Sequence, residues 1–190
     1  MLAVLAPWLA GCGTTIRPPP APAEPARIAV LDHGRHTSLL VEDGPAGMVR
    51  WAYGDWEWYA LGRTGPAQGS RALLGPSPAA LGRRRLAGPL GPEAVAREVG
   101  VPVEQAFYLE VEESRLERLK ARLDAIFDRA AGPLESARFD LAFVPHPVPY
   151  SLAHNSNRVV AAWLEELGCE VEGAAVLASW RLGGAVAAAP

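Results

Sequence analysis

The sequence predicts an α+β fold, a small antiparallel sheet with helices packed on it. Three observations carry that expectation. Short runs rich in β-branched residues recur in the first third of the chain. Residues 105–112 (QAFYLEVE) put Phe107, Leu109 and Val111 on one side and Tyr108, Glu110 and Glu112 on the other, the period of a half-buried strand. Two stretches further on repeat apolar residues at three- and four-residue spacing. A length of 190 residues, 49% of them hydrophobic and 21% charged, suits one folded core and excludes disorder over the whole chain. With 19 glycines and 18 prolines, many turns and short elements are expected rather than a bundle of long helices.

In chain order, residues 1–10 (MLAVLAPWLA) form an apolar run too short for the roughly 20 residues that span a bilayer as a helix. Leu9-Ala10-Gly11-Cys12 follows, small residues leading into a cysteine, and residues 1–11 resemble a bacterial lipoprotein signal. That resemblance implies a lipidated Cys12 as the mature first residue, and membrane attachment through it. No Lys or Arg precedes the run, which points to a start upstream of Met1. Gly13 stands where an aspartate would favour inner-membrane retention, so the resemblance implies an envelope protein on the outer membrane, facing the periplasm. With Cys12 acylated, Cys169 has no partner for an intramolecular disulfide.

Residues 12–26 carry five prolines and read as an anchor cysteine plus an extended tether, with a single domain over 27–182 and a loose tail over 183–190. Within the domain, residues 27–32 (RIAVLD) and 37–42 (TSLLVE) read as two strands, or as one strand broken at Gly34. Residues 48–53 (MVRWAY) are a third strand. The stretch 62–100 is cut by Gly and Pro and reads as loops with one or two short helices, one of them over 92–98. A helix starts at Ser114, with Glu117 three residues on, and stops at Gly132-Pro133. A second, with Val160, Trp163, Leu164 and Leu167 on one stripe, ends at Gly168, and residues 174–181 form a last strand.

A net charge of −3 and scattered arginines, apart from Arg83-Arg84-Arg85, give no basic face for phosphates, so no nucleic-acid partner is expected. No cofactor is expected either. His33 and His36 share an H-x-x-H spacing, but no third histidine or second free cysteine recurs at ligand spacing, which disfavours a metal. Histidines are the usual general bases at neutral pH, and there are four: His33, His36, His146 and His154. His154-Asn155-Ser156-Asn157 opens a helix, where backbone N–H groups would favour an anion and Ser156 could serve as a nucleophile. The plainer reading makes Asn155 or Ser156 an N-cap, and the residue types favour it. Cys169 follows the negative end of that helix beside Glu165, Glu166 and Glu170, and reads as a packed small hydrophobe. Residues 54–59 (GDWEWY) crowd Trp56, Trp58 and Tyr59 around Asp55 and Glu57. They read either as core and sheet rim or as the wall of a ligand cleft.

Together G-R-H-T-S-L-L-V, Y-G-D-W-E-W-Y, and H-N-S-N opening a helix that ends in L-E-E-L-G resemble an uncharacterised bacterial envelope family related to the circularly permuted NlpC-type papain-like proteins. The resemblance runs from about residue 27 to 181. It implies His36 as the base, Asp55 or Glu57 as the group orienting it, and Ser156 at the nucleophile position, flanked by Asn155 and Asn157. The family pattern there is asparagine, cysteine, asparagine, so the cysteine is missing, and serine needs a well-aligned base to react at all. One reading is an amide or ester hydrolase or acyltransferase working through Ser156 and His36. The alternative is a catalytically inactive envelope protein that holds a peptide, glycan or lipid fragment in a cleft lined by Trp56, Trp58 and Tyr59.

Overall fold

In the computed structural model, residues 13–64 and 75–184 are described. The sheet forms as expected through its first strands. Strand β1 spans Thr14–Arg17, β2 Pro25–Asp32, β3 Thr37–Glu42 and β4 Gly47–Asp55. Helix α1 (Trp56–Tyr59) follows at once, then β5 (Ser77–Ala87), α2 (Pro92–Glu98), β6 (Gln105–Glu112) and α3 (Glu113–Asp128). The chain closes through β7 (Leu134–Ser136), β8 (Leu141–Tyr150), α4 (Ser156–Glu166), β9 (Glu170–Glu172) and β10 (Trp180–Leu182).

The class is α+β, but the sheet is not small. Seven strands pair antiparallel throughout in the order β6-β2-β3-β4-β5-β8-β7, and β10-β1-β9 form a second sheet of three. The difference lies in β5 and β8, which composition hides. In β5 the three successive arginines look unlike a central strand, yet each meets acids from other elements. Arg83 pairs with Asp124 at 2.5 Å and Asp128 at 2.9 Å and lies 3.9 Å over the Phe127 ring, Arg84 pairs with Asp140, and Arg85 pairs with Asp43 at 2.7 Å. In β8, Pro145, Pro147 and Pro149 alternate, so their missing N–H groups fall on one edge, which β7 leaves open beyond Phe143.

Residues 14–17 do not belong to a tether. Ile16 is fully buried, and Thr14–Arg17 pair with both β9 and β10, so the fold begins one residue beyond Gly13. The prolines of 18–22 connect two strands, and Pro25 opens β2. The expected last strand over 174–181 shrinks to Trp180–Leu182, and most of the tail lies outside the described residues, as do Cys12 and the signal segment. Among the described residues no helix is long and apolar enough to cross a membrane.

Strand alternation gives the large sheet two working faces. On the first, Ile28, Val30, Leu39, Val41, Val49, Trp51 and Tyr53 pack under α3, α4, Ile16 and Trp180. On the second, Ala29, Leu31, Leu40 and Met48 meet Ala94 and Val95 of α2, while Ala52, Ala80 and Phe143 lie under Tyr59 of α1 and Phe139.

Candidate functional site

The turn from β2 to β3 builds the centre of the site. His33 N–H donates to the His36 carbonyl at 3.0 Å, Gly34 takes φ 86°, and Asp32 Oδ1 accepts from Gly34 N–H at 2.7 Å, so His33 and His36 project side by side. Their rings stack at 4.6 Å between centroids and 17° between planes. Nδ1 of His33 lies 2.7 Å from the Pro102 carbonyl, and its Nε2 lies 2.8 Å from Ser38 Oγ. A carbonyl only accepts, so Nδ1 carries the proton and Nε2 accepts from the serine hydroxyl. Both nitrogens of His33 are occupied. His36 instead meets ring edges, Tyr59 at 5.5 Å and Phe139 at 6.4 Å, and no described residue hydrogen-bonds its nitrogens.

Electrostatics hold both imidazoles neutral. Burial brings His33 down to about 4, with the Pro102 carbonyl opposing and the Arg50 charge adding to the fall. His36 falls to about 3 through burial, its neighbour His33, and Arg50. Arg50 itself is buried behind the cleft. It donates from Nη2 to the Phe139 carbonyl at 2.6 Å and stands 3.8 Å from Asp140, while its Nε has no partner among the described residues.

A cavity of about 640 Å³ opens over this turn, with His36, Asp55, Trp58, Tyr59, Arg138 and Phe139 in its wall. The density of aromatic and acidic residues over 54–59 thus marks a real cleft, and α1 explains how. Asp55 caps this short helix, its Oδ1 accepting from Trp58 N–H at 2.9 Å, while Oδ2 accepts from Ser77 Oγ. Asp55 thus lines the cleft, and no hydrogen bond joins it to His36 to orient the imidazole. Glu57 pairs with Arg63 at 2.5 Å, outside the cleft wall, and Trp56 lies in a separate groove beside Ile126 and Pro145.

The start of α4 is a different place. Asn155 is its N-cap, Oδ1 accepting from Arg158 N–H at 3.0 Å, and its Nδ2 donates to the carbonyls of Leu152 at 3.4 Å and Val176 at 3.1 Å. Asn157 donates to the same Val176 carbonyl at 3.1 Å and accepts from Thr37 Oγ1 at 2.8 Å; Thr37 in turn accepts from Trp180 Nε1 at 2.7 Å. Ser156 is 4% exposed, and no described residue bonds its hydroxyl.

Thr37, not His36, is therefore the β3-side group that meets the opening turn of α4. Successive residues point to opposite faces of a sheet, and His36 projects among Tyr59 and Phe139 on the second face while α4 covers the first. The structure brings His36 together with Asp55, Trp58 and Tyr59. It joins Ser156 to none of them by a hydrogen bond. Thr37, Trp180, Ser38, Arg138 and Phe139 are not singled out by the sequence as site residues; Thr37 and Ser38 stand there only as the start of a strand.

His146 and His154 face Tyr53 at 5.0 and 5.2 Å, and neither is in the cleft wall. Cys169 is buried, and burial pushes its thiol up to about 12, in keeping with a packing role. No three His, Cys, Asp or Glu side chains converge as a metal site among the described residues. No family model matches the chain, and neither a curated protein nor a solved structure matches it.

Proposed function

We propose that the chain is an envelope protein, anchored to the outer membrane through a lipidated Cys12, whose cleft at the β2–β3 turn binds a peptide or glycan fragment without turning it over. The scaffold is read as permuted papain-like, supported by an antiparallel sheet whose early strand follows His36 and whose late helix opens on Asn155-Ser156-Asn157. One observation carries the binding reading. His36 opens onto a cleft with Trp58, Tyr59 and Phe139, and that cleft's wall does not include Ser156.

The chemistry of the wall suits a ligand with both flat apolar faces and polar groups. Trp58, Tyr59 and Phe139 offer stacking surfaces, Arg35 and Arg138 offer donors for carboxylates, and neutral His36 offers one donor and one acceptor. A neutral, unpartnered imidazole in an aromatic wall recognises hydroxyl and amide groups.

Titration with soluble cell-wall fragments, which carry sugar and peptide together, tests this by tryptophan fluorescence and calorimetry. Saturable binding lost in Trp58→Ala and weakened in His36→Ala is the expected result. Affinity equal in all three proteins overturns the cleft assignment. A serine-directed fluorophosphonate separates the hydrolase reading: an adduct on Ser156 that vanishes in His36→Ala would show the two groups acting together and overturn the non-catalytic part of the proposal.

A further inference from the structure

The described chain leaves almost no slack at its start. Thr14 N–H donates to the Ser179 carbonyl at 2.7 Å, and Thr14 Oγ1 accepts from Ala175 N–H at 3.1 Å. From Cys12 to Thr14 the backbone reaches at most about 7 Å. A domain held by Cys12 therefore cannot stand away from the bilayer and must turn one face to it, the face where Gly13 emerges.

That face is apolar. Thr14, next to Gly13, binds Ala175, which leads into Val176 and Leu177, the latter 63% exposed. Asn155 ties the Val176 carbonyl to that of Leu152, 49% exposed, and Asn157 reinforces the same link. Tyr53, which touches His154 in the neighbouring turn, fixes the carbonyl of exposed Val148 at 3.0 Å. Three segments thus present apolar side chains near the start of α4, the backbones of two held by buried Asn155 and Asn157 and that of the third by Tyr53. At its rim Arg158 is exposed, and exposed Arg181 lies against Gly13, where a cation meets lipid phosphates.

We propose that Val148, Leu152, Val176 and Leu177 form a membrane-docking surface that lies in the head-group region of an anionic bilayer beside the anchor. The inference rests on the anchored reading given above. It adds that the domain is oriented, with the start of α4 toward lipid. An exposed apolar patch rimmed by cations and close to the start of the described chain fits the interface of a bilayer.

The test uses the full chain in vesicles of phosphatidylethanolamine and phosphatidylglycerol whose acyl chains carry bromine, a short-range quencher of tryptophan. Leu177→Trp adds a reporter in the patch, and Leu182→Trp adds one at an exposed position on β10 outside it. The added emission at 177 is expected to fall about two-fold and that at 182 hardly at all. Intact mass reads acylation of Cys12 in the same sample. Quenching at 177 without an acyl mass supports the docking surface and removes the anchor. An acyl mass with equal, weak quenching at both positions overturns the docking surface and keeps the anchor, and absence of both overturns both. In the Cys12→Ser chain, Leu152→Asp and Leu177→Asp are each expected to weaken vesicle binding about ten-fold. Unchanged binding overturns the assignment.

Discussion

His36 and Thr37 are neighbours in sequence and belong to two different places. The cleft around His36 keeps an imidazole with no hydrogen-bonding partner among the described residues against aromatic edges. The start of α4, which Thr37 meets, ties most of its polar groups to one another: Asn155 caps, Asn157 and Thr37 bond each other, and Trp180 completes the chain, leaving only the Ser156 hydroxyl there without a described partner. Polar side chains that satisfy one another hold a fold together, whereas one left open in the wall of a cavity is within reach of a ligand, and His36 lines the cavity while Ser156 does not. On that ground the cleft, not the helix start, is the place for a ligand.

The sharpest way to break the comparison is Asn157→Ala. It leaves the Thr37 hydroxyl and the Val176 carbonyl short of partners in a buried site, and the expected cost is about 3 kcal/mol in urea denaturation. A cost near zero would remove the structural role given to this turn. His36→Gln, by contrast, is expected to cost little at neutral pH.

Acid sets the two histidines of the cleft apart next. Both are neutral when folded, with values near 4 and 3 against an ordinary 6.5, so below 6.5 the unfolded chain binds more protons than the folded one. Their effect on stability is absent above 6.5 and grows as pH falls toward the folded values, each ring costing up to about 1.4 kcal/mol per pH unit in that window. Denaturation at several pH values should show a shallower acid slope in His33→Gln and in His36→Gln. An unchanged slope would mean that the rings are not buried as described.

Smaller again is Asn155→Ala, expected to cost about 1 kcal/mol through loss of the helix cap. Smallest is Ser156→Ala, expected to change stability by no more than about 0.5 kcal/mol, since no described residue bonds its hydroxyl. Ser156→Cys sharpens the same point. With His36 on the other face, the new thiol should stay unreactive toward maleimide near neutral pH, whereas rapid alkylation that depends on His36 would place the two groups together.

Much of this architecture was legible in the pattern of residues. Periodicity identified β6 and the helices α3 and α4, because each buries a local stripe or alternates locally, and short apolar runs identified β2, β3 and β4. Density of aromatics identified the wall made by Trp58 and Tyr59. What escaped depends on distant partners. Arg83, Arg84 and Arg85 are compatible with a central strand only because Asp124, Asp140 and Asp43 arrive from elsewhere, and Ile16 joins the core only because β9 and β10 return to cover it. Phe139 and Arg138 enter the cleft from a connection with no pattern of its own.

The residues alone determined that a histidine-bearing turn, an aromatic cluster and a helix opening on Asn-Ser-Asn would exist. Tertiary structure decided which of them share a space. A side chain's direction in a strand reverses with every residue, so moving the start of β3 by one position would exchange His36 for Thr37 on the face beneath α4. That register is set by pairing with the neighbouring strands β2 and β4 and by burial of Leu39 and Val41 in one core with Val160 and Leu164 of α4, which lies far along the chain.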